Sequence, residues 1–210
     1  MIIVITLGFD EKFALRAITR RGLKPEDEVI IVTSKPPDER TEKAFQNFTT
    51  ILKKVFLNPK ISRIDVEVKK FDNAVSTLTK EFLKRKTSKF ILNLSGGLRA
   101  LIMEVLVSAT LLNISGEVEV ELENFSGMIS FPLEILHIPE LDNTDRMLLT
   151  SINVNEEFSL SKLSKKLNIS KTTTWRRIKK LQRLNIINKD KNYLTELGSI
   201  IKLIYCTNTY

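Results

Sequence analysis

The residues with the clearest chemical reading are Asn93-Leu94-Ser95-Gly96-Gly97-Leu98-Arg99. A short apolar run, Phe90–Leu94, precedes them, and a helical pattern, Leu98–Leu112, follows. The spacing predicts a turn from the carboxyl end of a strand into a helix N-terminus, where exposed N–H groups favour an anion. Gly96 and Gly97 let a ligand approach the backbone, Asn93 and Ser95 add hydrogen-bonding side chains, and Arg99 adds a cation. A nucleotide or phosphodiester suits this chemistry; a tight turn holding no ligand is the plainer alternative. A second loop, Thr6-Leu7-Gly8-Phe9-Asp10, would stand at the same edge of an open α/β sheet. Neither loop contains GxxxxGK[ST] or GxGxxG, so no P-loop and no dinucleotide cofactor is expected. We find no general acid and base pair and expect no catalytic residue. A single histidine, His137, and a single cysteine, Cys206, make neither a zinc site nor an internal disulfide, so no metal is expected.

A second kind of chemistry lies in residues 171–184. At about 100° per residue, Thr174, Ile178 and Leu181 share one side of a helix, with Trp175 and Leu184 on its margins. Thr172, Thr173, Arg176, Lys179 and Arg183 fall on the other side. Short hydroxyls near the N-terminus followed by long cations fit a major groove, where early residues reach base edges and cations meet phosphates. Ser170 caps this helix, and Ser170, Lys171, Arg177 and Lys180 join the candidate set for double-stranded DNA. Two shorter helices are expected before it: Asp145–Val154, with Met147, Leu148 and Ile152 inward, and one from Leu160 to Leu167 capped by Ser159. Asn168 suits a left-handed turn between helices and Ile169 can plug it. Ile186–Ile187 and Tyr193–Thr195 read as a hairpin around Lys189 and Lys191, followed by a final helix from Thr195–Glu196 to about Ile204. Helix, helix, turn, basic helix, basic hairpin, helix is the order of a winged helix-turn-helix. The alternative is a small basic three-helix domain that binds protein or nothing.

The elements that must position these residues alternate in type. Strands are expected at Ile2–Thr6, Val29–Thr33, Ile64–Val68 and Phe90–Leu94. Helices are expected at Glu11–Arg21, Arg40–Phe56, Leu98–Leu112 and from an Asp72 cap to about Lys84. Glu117–Leu122 and Met128–Phe131 close the region as a hairpin around Asn124–Gly127. The fold class is therefore α/β, a Rossmann-like, largely parallel sheet with a C-terminal hairpin, followed by an α+β winged helix-turn-helix. The expected division is 1–136 for ligand sensing and dimerisation, 137–144 as linker and 145–210 for DNA binding. Charge supports it: residues 142–210 hold 13 Lys+Arg against 6 Asp+Glu, nearly all of the chain's net +8. Leu98–Leu112 carries only Arg99 and Glu104 as charges. A helix apolar all round is expected to be buried all round, and a homodimer contact would cover the side the sheet leaves open. No apolar run reaches the ~20 residues of a membrane span, so no membrane partner is expected. The start, MIIVITLGFD, reads as a core strand rather than a signal peptide, which implies a cytoplasmic protein.

TLGFDE after the first strand, NLSGGLR after the fourth and the appended winged helix together resemble the archaeal CRISPR-associated transcriptional regulators of the CARF–winged-helix type. The resemblance spans essentially the whole chain. An Asn-x-Ser-x-Gly-x-Arg pattern is matched by Asn93, Ser95, Gly97 and Arg99, and the first loop by Thr6, Gly8 and Phe9. It implies a CARF fold, a homodimer with a ligand cleft on its two-fold axis, and a cyclic oligoadenylate effector, cyclic tetra-adenylate foremost. Control of CRISPR-associated promoters is also implied. Two alternatives stay open. One is a ring-nuclease-like enzyme that slowly cleaves its cyclic ligand, with Thr6, Ser95 and Arg99 as candidates. The other is a DNA-binding protein whose first domain only dimerises.

Overall fold

The computed structural model describes residues 1–137 and 139–207, in two compact units, Met1–Leu136 and His137–Tyr210. The first unit runs β1 (Ile2–Thr6), α1 (Lys12–Arg21), β2 (Glu28–Ser34), α2 (Glu39–Val55), β3 (Lys60–Val66), α3 (Phe71–Leu83), β4 (Phe90–Asn93), α4 (Arg99–Leu111), β5 (Gly116–Glu121) and β6 (Met128–Pro132). Its six strands lie in the order β3-β2-β1-β4-β5-β6, and all pairs are parallel except β5 with β6. The continuous apolar runs of β1, β2 and β4 suit strands covered on both faces. Alternate residues serve two cores: Ile2, Val4, Ile30 and Leu92 pack with α3 and α4, whereas Ile3, Ile5, Val29 and Ile31 pack with α1 and α2.

Three expectations are corrected in this unit. β3 begins at Lys60, four residues before the Ile64 expected from alternation, and ends at Val66. It is an edge strand, and its first half is held by pairing with β2 and by Arg63, which binds Glu42 and Asp65. Charged edge residues carry no apolar period to read. Lys70, not Asp72, stands at the N-cap of α3; Asp72 lies inside the first turn, where it complements the helix dipole. α4 is not buried all round in the single chain. Leu101, Val105, Ser108 and Ala109 are buried, whereas Met103 is 54% and Leu111 67% exposed.

β5 is buried in a way that alternation alone does not suggest. Glu117, Glu119 and Glu121 share one face and meet arginines of α1. Arg21 Nε donates to Glu119 at 2.7 Å and its other arm to Glu117 at 2.8 Å, while Arg16 Nε donates to Glu121 at 2.5 Å. Glu119 and Glu121 are almost fully buried, so these cations supply the countercharge that burial of a carboxylate demands. Burial works against the charge on Arg21, but its hydrogen bonds to Glu119 and Glu117 outweigh this and hold the guanidinium protonated.

The second unit contains α5 (Asn143–Ser151), α6 (Leu160–Leu167), α7 (Lys171–Arg183) and α8 (Glu196–Thr207) around a core that includes Leu148, Leu149, Leu163, Ile178, Leu181 and Leu197. α5 starts two residues earlier than expected, inside the segment read as linker, because the Asp142 carboxylate accepts from the Asp145 N–H and caps it. It ends at Ser151 rather than Val154. Met147, expected inward, is half exposed, and Leu149 takes its place in the core. Ser159 stands at the N-cap of α6, but its side chain makes no capping bond. Asn168 is left-handed at φ 52°, as its position required. The expected hairpin is reduced to one antiparallel bridge, Ile187 with Leu194. Asn188 accepts from the N–H groups of Asp190 and Lys191 and folds the intervening residues into a tight turn. No helix among the described residues is long and apolar enough to cross a membrane.

Candidate functional site

The two glycine-bearing loops meet because β1 and β4 are hydrogen-bonded neighbours, with Ile5 opposite Asn93. Their backbones are in contact: a Cβ at Gly8 would lie 2.9 Å from Gly97 N and 3.0 Å from its Cα. Gly97 has φ +93°, a conformation that side chains disfavour. The Thr6 hydroxyl donates to the Gly96 carbonyl at 2.5 Å and locks one loop to the other. Ser95 Oγ accepts from the Glu121 N–H at 2.9 Å, which leaves its own hydroxyl hydrogen for another acceptor. Arg99 opens α4 and is exposed, and Leu98 at the N-cap makes no side-chain capping bond.

The nine candidate residues of these loops thus divide by access. Phe9 and Arg99 are exposed, and Ser95, Gly96 and Gly97 are partly so. Thr6, Leu7, Gly8 and Asn93 are buried and support the loops from beneath. Asn93 is fully buried; its amide reaches Glu119 at 3.5 Å and its carbonyl oxygen has no partner. Arg40 was not legible in the sequence. It arrives from α2 and lays its guanidinium 4.0 Å from the centre of the Phe9 ring, a cation–π contact that local spacing does not encode. Phe13 and Arg16 were missed for the same reason; ring and charge both converge on Phe125 of the β5–β6 turn. Among the described residues no cluster of three or more histidine, cysteine or acidic side chains could hold a metal ion.

In the second unit, Ser170 Oγ accepts from the Thr173 N–H at 3.1 Å and fixes the start of α7. Thr174, Ile178 and Leu181 are buried. Ser170, Lys171, Thr172, Arg176, Lys179 and Arg183 are exposed, as are Lys189 and Lys191 in the following turn. Three of the expected DNA-facing side chains are turned elsewhere. Arg177 pairs with Asp142 and, at 3.3 Å, with Asp145; Lys180 pairs with Asp145 at 2.5 Å. The Asp142 hydrogen bond and the two carboxylates hold the Arg177 guanidinium more firmly protonated than usual. Thr173 is half-buried, and its hydroxyl accepts from Ser170. Gln182 was missed. Its amide donates to the Asn188 carbonyl at 3.0 Å and to that of Lys189 at 3.4 Å, tying the basic turn to the end of α7.

Residues 1–132 match the family model for the Csa3 CRISPR-associated Rossmann-like domain, and residues 141–188 match that for a winged helix-turn-helix DNA-binding domain. No curated protein matches the chain. Solved structures with similar chain traces include Can2 from Sulfobacillus thermosulfidooxidans in complex with cyclic tetra-adenylate, at 11% identity and a TM-score of 0.48. That match covers 98% of this chain and 64% of Can2. Protein VC1899 from Vibrio cholerae matches at 12% identity and a TM-score of 0.46, over 97% of this chain and 64% of that one. The chain therefore spans just under two thirds of the length of either protein.

Proposed function

The chain belongs to the Csa3 CRISPR-associated Rossmann-like family and joins that domain to a winged helix-turn-helix, and from this premise we propose that it is a ligand-responsive, DNA-binding regulator of CRISPR-associated genes. The observation that carries the reading is α7, a capped helix with one buried apolar side and one exposed side bearing Thr172, Arg176, Lys179 and Arg183. In this reading α7 enters the major groove of duplex DNA, and Lys189 and Lys191 meet an adjacent phosphate strand. Fluorescence anisotropy on labelled duplexes across a salt series tests it. Removing one cation from a phosphate should lower the salt slope by about 0.9, so Lys179→Ala should flatten the slope. Lys180→Ala should change it little, because Asp145 already neutralises that charge. Wild-type affinity independent of salt would overturn the assignment.

The first unit, in this reading, binds a cyclic oligoadenylate, cyclic tetra-adenylate foremost, at the joined loops of β1 and β4. Ser95 offers a hydroxyl donor, the open N-terminus of α4 offers N–H groups, and Arg99 offers a cation. Arg99 is exposed, so Arg99→Ala should cost about 1.5 kcal/mol, the low end for a charged hydrogen bond and roughly tenfold in Kd. Calorimetry with cyclic tetra-adenylate measures this, and chromatography of the same mixture detects any cleaved product. An unchanged Kd removes Arg99 from the site; linear product would favour the ring-nuclease reading.

We also propose a homodimer through the outer face of α4, since Met103 and Leu111 leave an apolar surface in water. Met103→Asp should shift the protein toward monomer in sedimentation velocity while its circular dichroism spectrum is kept. Val105→Asp is uninformative, because Val105 is a core residue. A dimer unaffected by Met103→Asp places the interface elsewhere.

A further inference from the structure

We propose that Trp175 is a DNA-contacting residue, whose indole packs against thymine methyl groups in the major groove. The inference rests on the DNA-binding reading and adds to it an apolar contact that selects sequence. The amphipathic pattern sets Trp175 at the margin of the buried side of α7, yet it is 52% exposed. An indole left in water on a helix whose neighbours are cations serves no packing purpose that burial would reward. Its surroundings give it a use. Lys171 and Lys179 stand one turn before and one turn after it, both exposed, so a cation, an indole and a cation run along one side of the helix. Two turns on from Trp175, Gln182 holds the carbonyls of Asn188 and Lys189, so this stripe lies on the side of α7 to which the basic turn is tied. The opposite flank is taken by Arg177 and Lys180, both bound to Asp145 of α5. The face left open for a groove is therefore centred between Thr172, Arg176 and Lys179, with Trp175 at its edge.

The major groove presents an apolar group at one place, the C5 methyl of thymine, and apolar side chains read it there. An indole at the edge of a cationic face matches that group, while Lys171 and Lys179 meet flanking phosphates. Unpaired bases would stack on an exposed indole as well, so single-stranded DNA is a competing occupant that the test resolves.

Trp175 is the only tryptophan of the chain, which makes its emission a direct report. The experiment uses the whole 210-residue chain and the duplex that wild type selects from a randomised pool, synthesised once with thymine and once with uracil, which lacks the methyl group. Wild type should show a shift of indole emission on titration with the thymine duplex and weaker binding to the uracil duplex. Trp175→Ala should bind the thymine duplex roughly tenfold more weakly, within the range of a good base contact. It should also lose the discrimination between the two duplexes. Because the side chain is half exposed, the variant should keep its circular dichroism spectrum; Trp175→Phe, which retains an aromatic ring, should keep part of the discrimination. Unchanged emission on binding, or equal discrimination by wild type and Trp175→Ala, overturns the proposal and leaves the DNA-binding reading standing. Tighter binding to the matching single strand overturns it in favour of stacking. Failure of wild type to bind any duplex overturns the underlying reading itself.

Discussion

Gly198→Ala should destabilise the second unit by about 3 kcal/mol and weaken duplex binding in step with the unfolded fraction. Two effects oppose each other at this position. Gly198 lies in the first turn of α8, and alanine in place of glycine favours a helix by about 1 kcal/mol. Against that, a Cβ there would stand 2.0 Å from the Ile186 carbonyl oxygen and 3.0 Å from its carbon. These are backbone atoms, so no side-chain rotation relieves the clash. The Ile186 carbonyl is also an anchor: it accepts from the Thr195 N–H at 3.0 Å, while the Thr195 hydroxyl donates mainly to the neighbouring Asn185 carbonyl at 2.6 Å, with Ile186 at 3.1 Å as the weaker acceptor. The Thr195 hydroxyl oxygen in turn accepts from the Gly198 N–H at 3.0 Å, closing the N-terminal turn of α8. Moving the helix away from Ile186 would break this set together, so the clash wins. Chemical denaturation followed by circular dichroism measures the loss, and anisotropy on a labelled duplex measures its consequence. Equal or raised stability would mean that α8 can shift without disturbing its cap.

Asp145→Ala is the second large effect, expected at about 2 kcal/mol of stability. The Asp145 side chain is fully buried and is the common partner of Arg177 and Lys180. Removing one member of a buried pair costs about 3–5 kcal/mol when the charge left behind is cut off from water. Here the remaining side chains are 31% and 40% exposed and regain solvent, which lowers the figure. The variant has a second consequence that a simple loss of packing would not produce. Arg177 and Lys180 are released beside the DNA-facing side of α7, so the salt slope should steepen by about 0.9 for each cation that reaches a phosphate. Asp145→Asn keeps shape and hydrogen-bonding capacity and should show the steeper slope with a smaller stability loss. A slope unchanged in both variants would show that the two cations point away from DNA even when unpaired.

Much of the fold was legible because it is written in local patterns. The apolar runs at Ile2, Val29 and Phe90 read as strands because hydrophobic residues without a polar period need cover on both faces. The helix-turn-helix was legible from Ser170 and Asn168, one a capping side chain and the other a residue that tolerates the left-handed turn. Where local pattern and tertiary demand part, the reading shifted. Lys60–Arg63 carries charges that edge pairing tolerates, and Met147 fits the helical period but faces water while Leu149 packs.

Local pattern sets the order of strands and helices, the two glycine loops after β1 and β4, and a cationic helix capped by Ser170. Each depends on residues within a few positions of one another, where period and spacing act directly. Which of the named side chains remain available depends on contacts between distant elements. Arg21 and Glu119 are 98 positions apart, and Arg16 and Glu121 are 105 apart, yet they neutralise one another because the sheet places β5 beside α1. Chain closure likewise takes Lys180 and Arg177 out of the basic face and gives them to α5, 32 to 35 positions earlier. It buries Asn93 beneath the loop that it was expected to line, and it leaves Trp175 in water. A helical period fixes the direction of a side chain relative to its own axis; what occupies that direction depends on elements distant in the chain, and the local pattern carries no record of them.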